Sequence, residues 1–513
     1  MAISVTAMGF LGLVVAVGVF LTNLLRPKLD PREPPIVHPK LPFLGHIIGM
    51  LREGPQYYKR VSRQCKLPIF TLPMLNGKTY MVVDPALTAA VQRASSTLDF
   101  DEIIVQSTPR LVKLSARTAK ILEDQTAKDE GRKRMVSYIH GIINPPLGPN
   151  RVGDMSQLQL DHFSDYINDI RDGEELGLFK LVTKELVAAT MNTMFGPQNP
   201  FAVNPGLIEK FWDWDNGNIG YAVSPFAQIT ARKAYNAMQA CVQGFMEYTE
   251  KGRYSQAQPF LEERHQCHIR EGISLEDHAR LEMGLCMGFN SNASVTTFWI
   301  LNHIYSRPEL LSQIREELYA NAFEAPGTIS ASKIKESCPL LNSVFRETLR
   351  LGAPMTSVRY VLEDTIIADT YLLKKGNVVQ IIGSVMNSDP AIWGPDADKF
   401  NPRRFIHSSF GSKTNPDGSI SDSKANTVHP AAFRSFGGGS SLCPGRHFAQ
   451  IEVTGLAAII VLGFDLEPVE DTKWEPPRND KRIPLVVPKP LQDVKVKMVR
   501  RKGFENVKWN MNA

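Results

Sequence analysis

From Ala2 to Leu25 no charged residue occurs, and Val5 to Leu25 is almost unbroken apolar chain, interrupted only by small residues, Thr22 and Asn23. A run of that length predicts a helix able to cross a bilayer. It lacks the basic start and shorter apolar core of a cleaved signal peptide, and it ends at Leu24-Leu25-Arg26-Pro27-Lys28. Residues 1–26 therefore read as a retained anchor, with the basic side in the cytosol. Pro27, Pro31, Pro34, Pro35, Pro39 and Pro42 follow. This density makes 27–45 a stiff, extended linker that cannot be helical.

Beyond the linker the period changes. Two apolar runs, Pro68 to Met74 and Lys78 to Val83, flank Asn76-Gly77, a hairpin signal. From Pro85 to Arg350 helical periods dominate, most clearly over Glu209 to Lys251, Leu275 to Tyr305 and Glu309 to Leu318, with a further helix over Asn342 to Leu351. Strand-like runs return at Ser357 to Ile382, Ile483 to Val487 and Val494 to Val499. Gly411 to Asn426 is polar and reads as a surface insertion. There is no internal repeat. The pattern predicts one domain over 46–513, mainly α with small β-sheets (α+β).

Composition narrows this little. Apolar content of 43% and charged content of 22% are ordinary for a chain of 513 residues with a real core. A net charge of +5 argues against a dedicated nucleic-acid binder and suits an anionic membrane surface. Six cysteines occur without a Cys-x-x-Cys pair, which fits neither a zinc cage nor a disulfide scaffold and points to a reducing compartment.

The candidate chemistry lies at Phe436-Gly437-Gly438-Gly439-Ser440-Ser441-Leu442-Cys443-Pro444-Gly445, just before a helix-compatible run from Arg446. Glycines let the backbone pass close to a flat cofactor. Amides of the loop and of the helix start can hold a thiolate's negative charge. The stretch resembles the heme-binding loop of the cytochrome P-450 family, Phe-x-x-Gly-x-x-x-Cys-x-Gly, with every fixed position filled. Two further blocks match in order. Glu347-Thr348-Leu349-Arg350 supplies Glu-x-x-Arg, whose partners share a helix face. Phe400-Asn401-Pro402-Arg403-Arg404-Phe405 resembles the Pro-x-Arg-Phe element, which makes Arg404 the third member of a buried triad with Glu347 and Arg350.

The resemblance implies the P-450 fold, a triangular prism with heme between the long central helix and the cysteine-bearing helix. It implies heme b with Cys443 as axial ligand, and Phe436, Gly439 and Gly445 at the cofactor. Propionates need cations. The family's Arg or His two residues before the cysteine is Ser441 here, so Arg359 and Arg434 are the candidates. The usual earlier basic pair is not found; Lys128, Arg132, Lys133 and Arg134 form the strongest basic cluster in that region, either a solvated face or a dock for an acidic partner.

The central helix departs most. Where the family places an acid and an alcohol to relay protons, this chain has Ser291 and Asn292, with Thr296 one turn on. The central Asn, extended by Phe298-Trp299, resembles the subgroup of prostacyclin synthase and the sterol 7α- and 12α-hydroxylases. Asn292, Ser291 and Thr296 are the candidate oxygen-handling residues; an amide can orient an oxygen but cannot supply a proton near neutral pH.

Three functions follow as expectations. The first is a monooxygenase acting on a lipophilic small molecule (steroid, terpenoid or polyketide-like) with O2 and electrons passed from NADPH through a membrane reductase. It would sit in the endoplasmic reticulum membrane with its catalytic domain in the cytosol, and need no oligomer. The second is a reductase-independent isomerase or dehydratase acting on a peroxide. The third is a noncatalytic heme or lipid carrier.

Overall fold

The structure, a computed structural model, describes residues 29–39, 45–74, 77–124, 126–127, 130–353, 355–406, 428–480 and 487–513. The expected anchor, part of the linker, the insertion at Gly411 to Asn426 and the run Ile483 to Val486 lie outside the described residues. Among the described residues no helix is long and apolar enough to cross a membrane.

The helix Leu275–Tyr305 runs through the middle of the molecule. The Ser274 hydroxyl caps it by accepting from the Asp277 amide at 3.2 Å, and Glu276 and Asp277 in its first turn complement the helix dipole. It stops where Pro308 opens the next helix, Pro308–Asn321. Its second half, from Ala293, is buried almost all round, as a helix enclosed by others must be. It packs on helices Leu178–Phe195, Arg232–Glu250 and Arg446–Gly463. Val295, Phe298, Ile300 and Leu301 share one apolar core with Leu456, Ile459 and Ile460 of the last of these.

The single period expected over Glu209 to Lys251 is instead two helices, Gly206–Val223 and Arg232–Glu250, joined through the short turn Ala227–Thr230. Pro225 is the cause. It pushes Ser224 to an extended conformation (ψ 128°) and carries no amide to continue the ladder. The joint leaves Val223, Phe226 and Ile229 exposed.

One sheet of five strands takes the order Ile69–Met74, Gly77–Val82, Val378–Ile382, Thr356–Val361, Leu98–Asp99. Its first pair is the hairpin expected around Gly77, with Met74 opposite Gly77. Within it Val379 faces Arg359 on the antiparallel neighbor, which fixes the arginine's place on the fourth strand. The C-terminal run forms the strand Lys495–Arg500, paired with Phe464–Pro468 and Glu174–Gly177.

Candidate functional site

Cys443 ends a loop that only glycine can trace. Gly437 and Gly439 take φ of 76° and 63°, and a Cβ on Gly437 would come within 2.9 Å of the Ser441 carbonyl oxygen. The Cys443 amide donates to the Phe436 carbonyl at 2.9 Å, closing the loop. Burial pushes the thiol up; the amides of Gly445 and Arg446 and the Arg446 charge pull it back. The sulfur therefore meets donors at the start of helix Arg446–Gly463, an arrangement that favors thiolate once a cation is bound.

Above the sulfur lies a cavity of about 310 Å³ between this loop and the central helix. Its walls are mainly apolar, among them Phe100, Ile103, Leu147, Phe289, Met355 and Val487. Gly288, Phe289, Asn292 and Ala293 are the central helix's share of the lining.

Arg359 and Arg434 are both about 1% exposed, and among the described residues neither has a carboxylate within ion-pair distance, Asp99 acting on Arg359 only through its field. Arg359 donates to the Ser441 hydroxyl and, at 3.2 Å, to the Gly438 carbonyl. Arg434 donates to the Ser357 hydroxyl at 3.1 Å, and its Nε has no acceptor among the described residues. Burial, and then the Arg359 charge, holds the Arg434 guanidinium down at about 10. Burial lowers Arg359 likewise. Two unneutralized cations in a dry place are costly unless an anion joins them. A soft sulfur donor, a glycine-lined face and buried guanidiniums together fit heme: Cys443 would ligate its iron and Arg359, which lines the cavity, would meet a propionate, whereas Arg434 is not among the lining residues.

The expected triad is assembled. Glu347 meets Arg350 at 2.7 Å and Arg404 at 3.1 Å, with both Glu347 and Arg350 fully buried. Arg350 also donates to the carbonyls of Asn387 and, at 2.6 Å, Ala397, and Arg404 reaches Asp396 at 2.9 Å. The network thus ties helix Pro339–Gly352 to the segment 387–404.

The structure separates the three oxygen-handling candidates. Asn292 lines the cavity, and its Oδ1 accepts from the Val487 amide at 2.9 Å. A backbone donor must face the oxygen, so Nδ2 is the end left for the cavity; it has no acceptor among the described residues. Ser291 and Thr296 do not line the cavity. The Ser291 hydroxyl turns to Asp215 at 2.9 Å, because consecutive helix positions point about 100° apart. The Thr296 hydroxyl donates back to the Asn292 carbonyl at 2.7 Å.

The basic cluster is largely engaged: Arg132 pairs with Glu130 at 2.6 Å and Arg134 with Glu102 at 3.1 Å, while Lys133 stays exposed and Lys128 is outside the described residues. Glu452 was not singled out by sequence reasoning, yet it lines the cavity fully buried. A lone carboxylate inside the apolar run Ile451 to Val461 was the available signal.

A second polar cluster lies away from the cavity. His268 and His278 bring Nδ1 atoms to 2.7 Å, and His265 meets His278 at 3.1 Å. Burial, then the Arg264 charge, holds His268 and His278 far below their usual value, so both are neutral. Arg264 is ion-paired with Glu282 and already supplies the positive charge that a metal ion would bring. The cluster is a buried ion pair wrapped in neutral imidazoles.

Fold and site together define a heme-thiolate oxygenase. A family model, Cytochrome P450, matches residues 34–496. The chain is 30% identical, over 95% of its length and 94% of the other, to the cytochrome P450 monooxygenase nodJ of Hypoxylon pulicicidum. It is 25% identical, over 95% and 98%, to the 7-alpha-hydroxycholest-4-en-3-one 12-alpha-hydroxylase of Oryctolagus cuniculus. Among solved structures, the cytochrome P450DA heme domain superposes with a TM-score of 0.66 at 15% identity, over 91% of this chain and 98% of that one. The chain belongs to the cytochrome P450 family and is a cytochrome P450 monooxygenase.

Proposed function

We propose that this monooxygenase oxidizes a lipophilic small molecule, of steroid, terpenoid or polyketide type, at heme b held by Cys443. Electrons come from NADPH through a cytochrome reductase. The observation that carries the reading is the cavity itself, whose central-helix wall offers one polar side chain, the Asn292 amide, among apolar neighbors. Bound heme supplies the oxygen-activating chemistry, which a thiolate ligand promotes. The residues around it exclude water, hold substrate and present an N–H. Since Oδ1 of Asn292 is engaged by Val487, the amide presents its NH2 end to the cavity, and it favors a substrate with an oxygen acceptor near the oxidized carbon.

The 12-alpha-hydroxylase of Oryctolagus cuniculus is a relative named for a steroid ketone, which supports both the sterol-like class and the subgroup resemblance. The apolar run 1–26, with the exposed Val223, Phe226 and Ile229 of the helix joint, supports a chain tethered to the endoplasmic reticulum membrane on its cytosolic side.

The test is reconstitution. Purified chain, NADPH and reductase are incubated with panels of sterols, terpenoids and polyketides, and oxygenated products are read by mass spectrometry against NADPH consumed. NADPH-dependent oxygenation of a lipophilic compound is expected. Turnover of a hydroperoxide without reductase, and of nothing else, would overturn the reading in favor of a self-contained isomerase.

A further inference from the structure

Residues 487–489 form a strap across the cavity's outer wall, and each is fastened to a different side chain. The Val487 amide donates to Asn292 Oδ1 at 2.9 Å, and Trp299 Nε1 donates to the Pro488 carbonyl at 2.9 Å. Lys489 forms an ion pair with Asp215, donates to Asn216 Oδ1 at 2.8 Å, and lies 4.6 Å from the center of the Trp212 ring. Asp215, Asn216 and Trp212 belong to helix Gly206–Val223, whereas Asn292 and Trp299 belong to the central helix.

Asp215 holds both bodies at once. It is fully buried; one oxygen receives Lys489 and the other receives the Ser291 hydroxyl at 2.9 Å. Ser291 is the residue next to Asn292. One carboxylate therefore grips the central helix beside the cavity's amide and grips the strap that orients that amide. The Lys489 side chain keeps 12% of its exposure, so it has a short way out to water if its partner is neutralized. Its departure would draw 487–489 outward, release the Val487 donor and leave the Asn292 amide free to rotate.

We propose that Asp215 is a positioning residue for substrate recognition: through Lys489 and Ser291 it sets which end of the Asn292 amide faces the cavity and how closely Val487 closes it. The role deepens the reading of the cavity as a substrate chamber. A carboxylate with this geometry also adds stability, so the experiment must separate holding the fold from holding the amide.

The probe is 1-phenylimidazole, an apolar azole that fills the cavity beside the iron, titrated into heme-loaded full-length protein by the Soret shift. Amide hydrogen exchange of the segment 487–495 is measured alongside. Asp215→Asn is expected to raise exchange at Val487 and weaken the azole about fivefold, an effect of the size found for coupled neighbors. Placed in an Asn292→Ala background, the same change should weaken it no further. The pair Asp215→Asn with Lys489→Met removes the stranded charge and should recover the thermal midpoint, while the azole stays weak.

Three results would overturn the proposal: unchanged exchange at Val487, equal weakening with and without Asn292, or azole affinity that returns together with the midpoint. None of these readouts needs turnover. A chain that binds the azole as described but oxidizes no lipophilic compound would sink the substrate reading and leave the positioning role intact.

Discussion

Arg359 donates to the hydroxyl of Ser441, two residues before Cys443, and so joins the sheet to the cysteine loop. The serine that replaces a cation in the family's loop is the acceptor for a cation brought from another strand. Arg359 also stacks over Phe100 at 5.3 Å, which limits its freedom. Arg359→Leu should weaken heme retention about 10- to 100-fold, the scale of one charged hydrogen bond, roughly 1.5–3 kcal/mol. Ser441→Ala, which spares the charge, should cost less than tenfold. The rate of heme transfer to apomyoglobin measures both, and equal rates for the two variants would contradict this assignment.

The Glu347 network makes a harsher prediction. Glu347→Gln strands the fully buried Arg350 guanidinium, while Arg404 keeps Asp396, at a cost of about 3–5 kcal/mol. Arg404→Ala leaves Glu347 paired with Arg350 and frees only the half-exposed Asp396. The glutamine variant should therefore yield little heme-loaded protein, and the alanine variant an intermediate amount. Heme-to-protein ratio after purification, with the thermal midpoint of what folds, checks the order.

Arg264 and Glu282 test the opposite rule. Losing Arg264 alone leaves Glu282 buried without its arginine partner, with the His278 imidazole at 3.5 Å. Arg264→Leu should destabilize by about 3–5 kcal/mol, and Arg264→Leu with Glu282→Leu should recover most of it. Neither should shift the reduced carbon monoxide spectrum, since no residue of this cluster lines the cavity above Cys443. A double variant no more stable than the single would show that the pair's worth lies in its hydrogen bonds instead.

What could be read from the chain follows how local each signal is. Leu275–Tyr305 was legible because its helical period runs unbroken over its whole length, a signal that depends on near neighbors alone. The cysteine loop was legible because its glycines are required by backbone geometry at that spot. The break at Pro225 was missed because an apolar period on either side looked continuous. The Ser291–Asp215 and Arg359–Ser441 pairs span 76 and 82 residues, and no spacing rule reaches that far. Glycines and helical periods declare themselves in sequence; a side chain's partner across the fold does not.

Glu452 carries the pH dependence of this site. Burial pushes its carboxyl up to about 8 from an ordinary value of 4.5, although Gln159 donates to it at 2.6 Å and Thr190 at 3.3 Å. The folded state therefore keeps the proton that the unfolded chain loses. Below about pH 4.5 both states are protonated and the group has no effect. Between about 4.5 and 8 stability falls as pH rises, by about 1.4 kcal/mol per unit, and above that window the loss is complete. Glu452→Gln keeps a neutral, hydrogen-bonding side chain of the same size and removes the slope. The variant should match the parent near pH 5 and exceed it near pH 8, by about 1–3 kcal/mol once residual hydration is allowed for. Thermal midpoints of heme-loaded protein at the two pH values decide the matter: a gap that does not widen with pH would mean Glu452 is ionized in the folded protein.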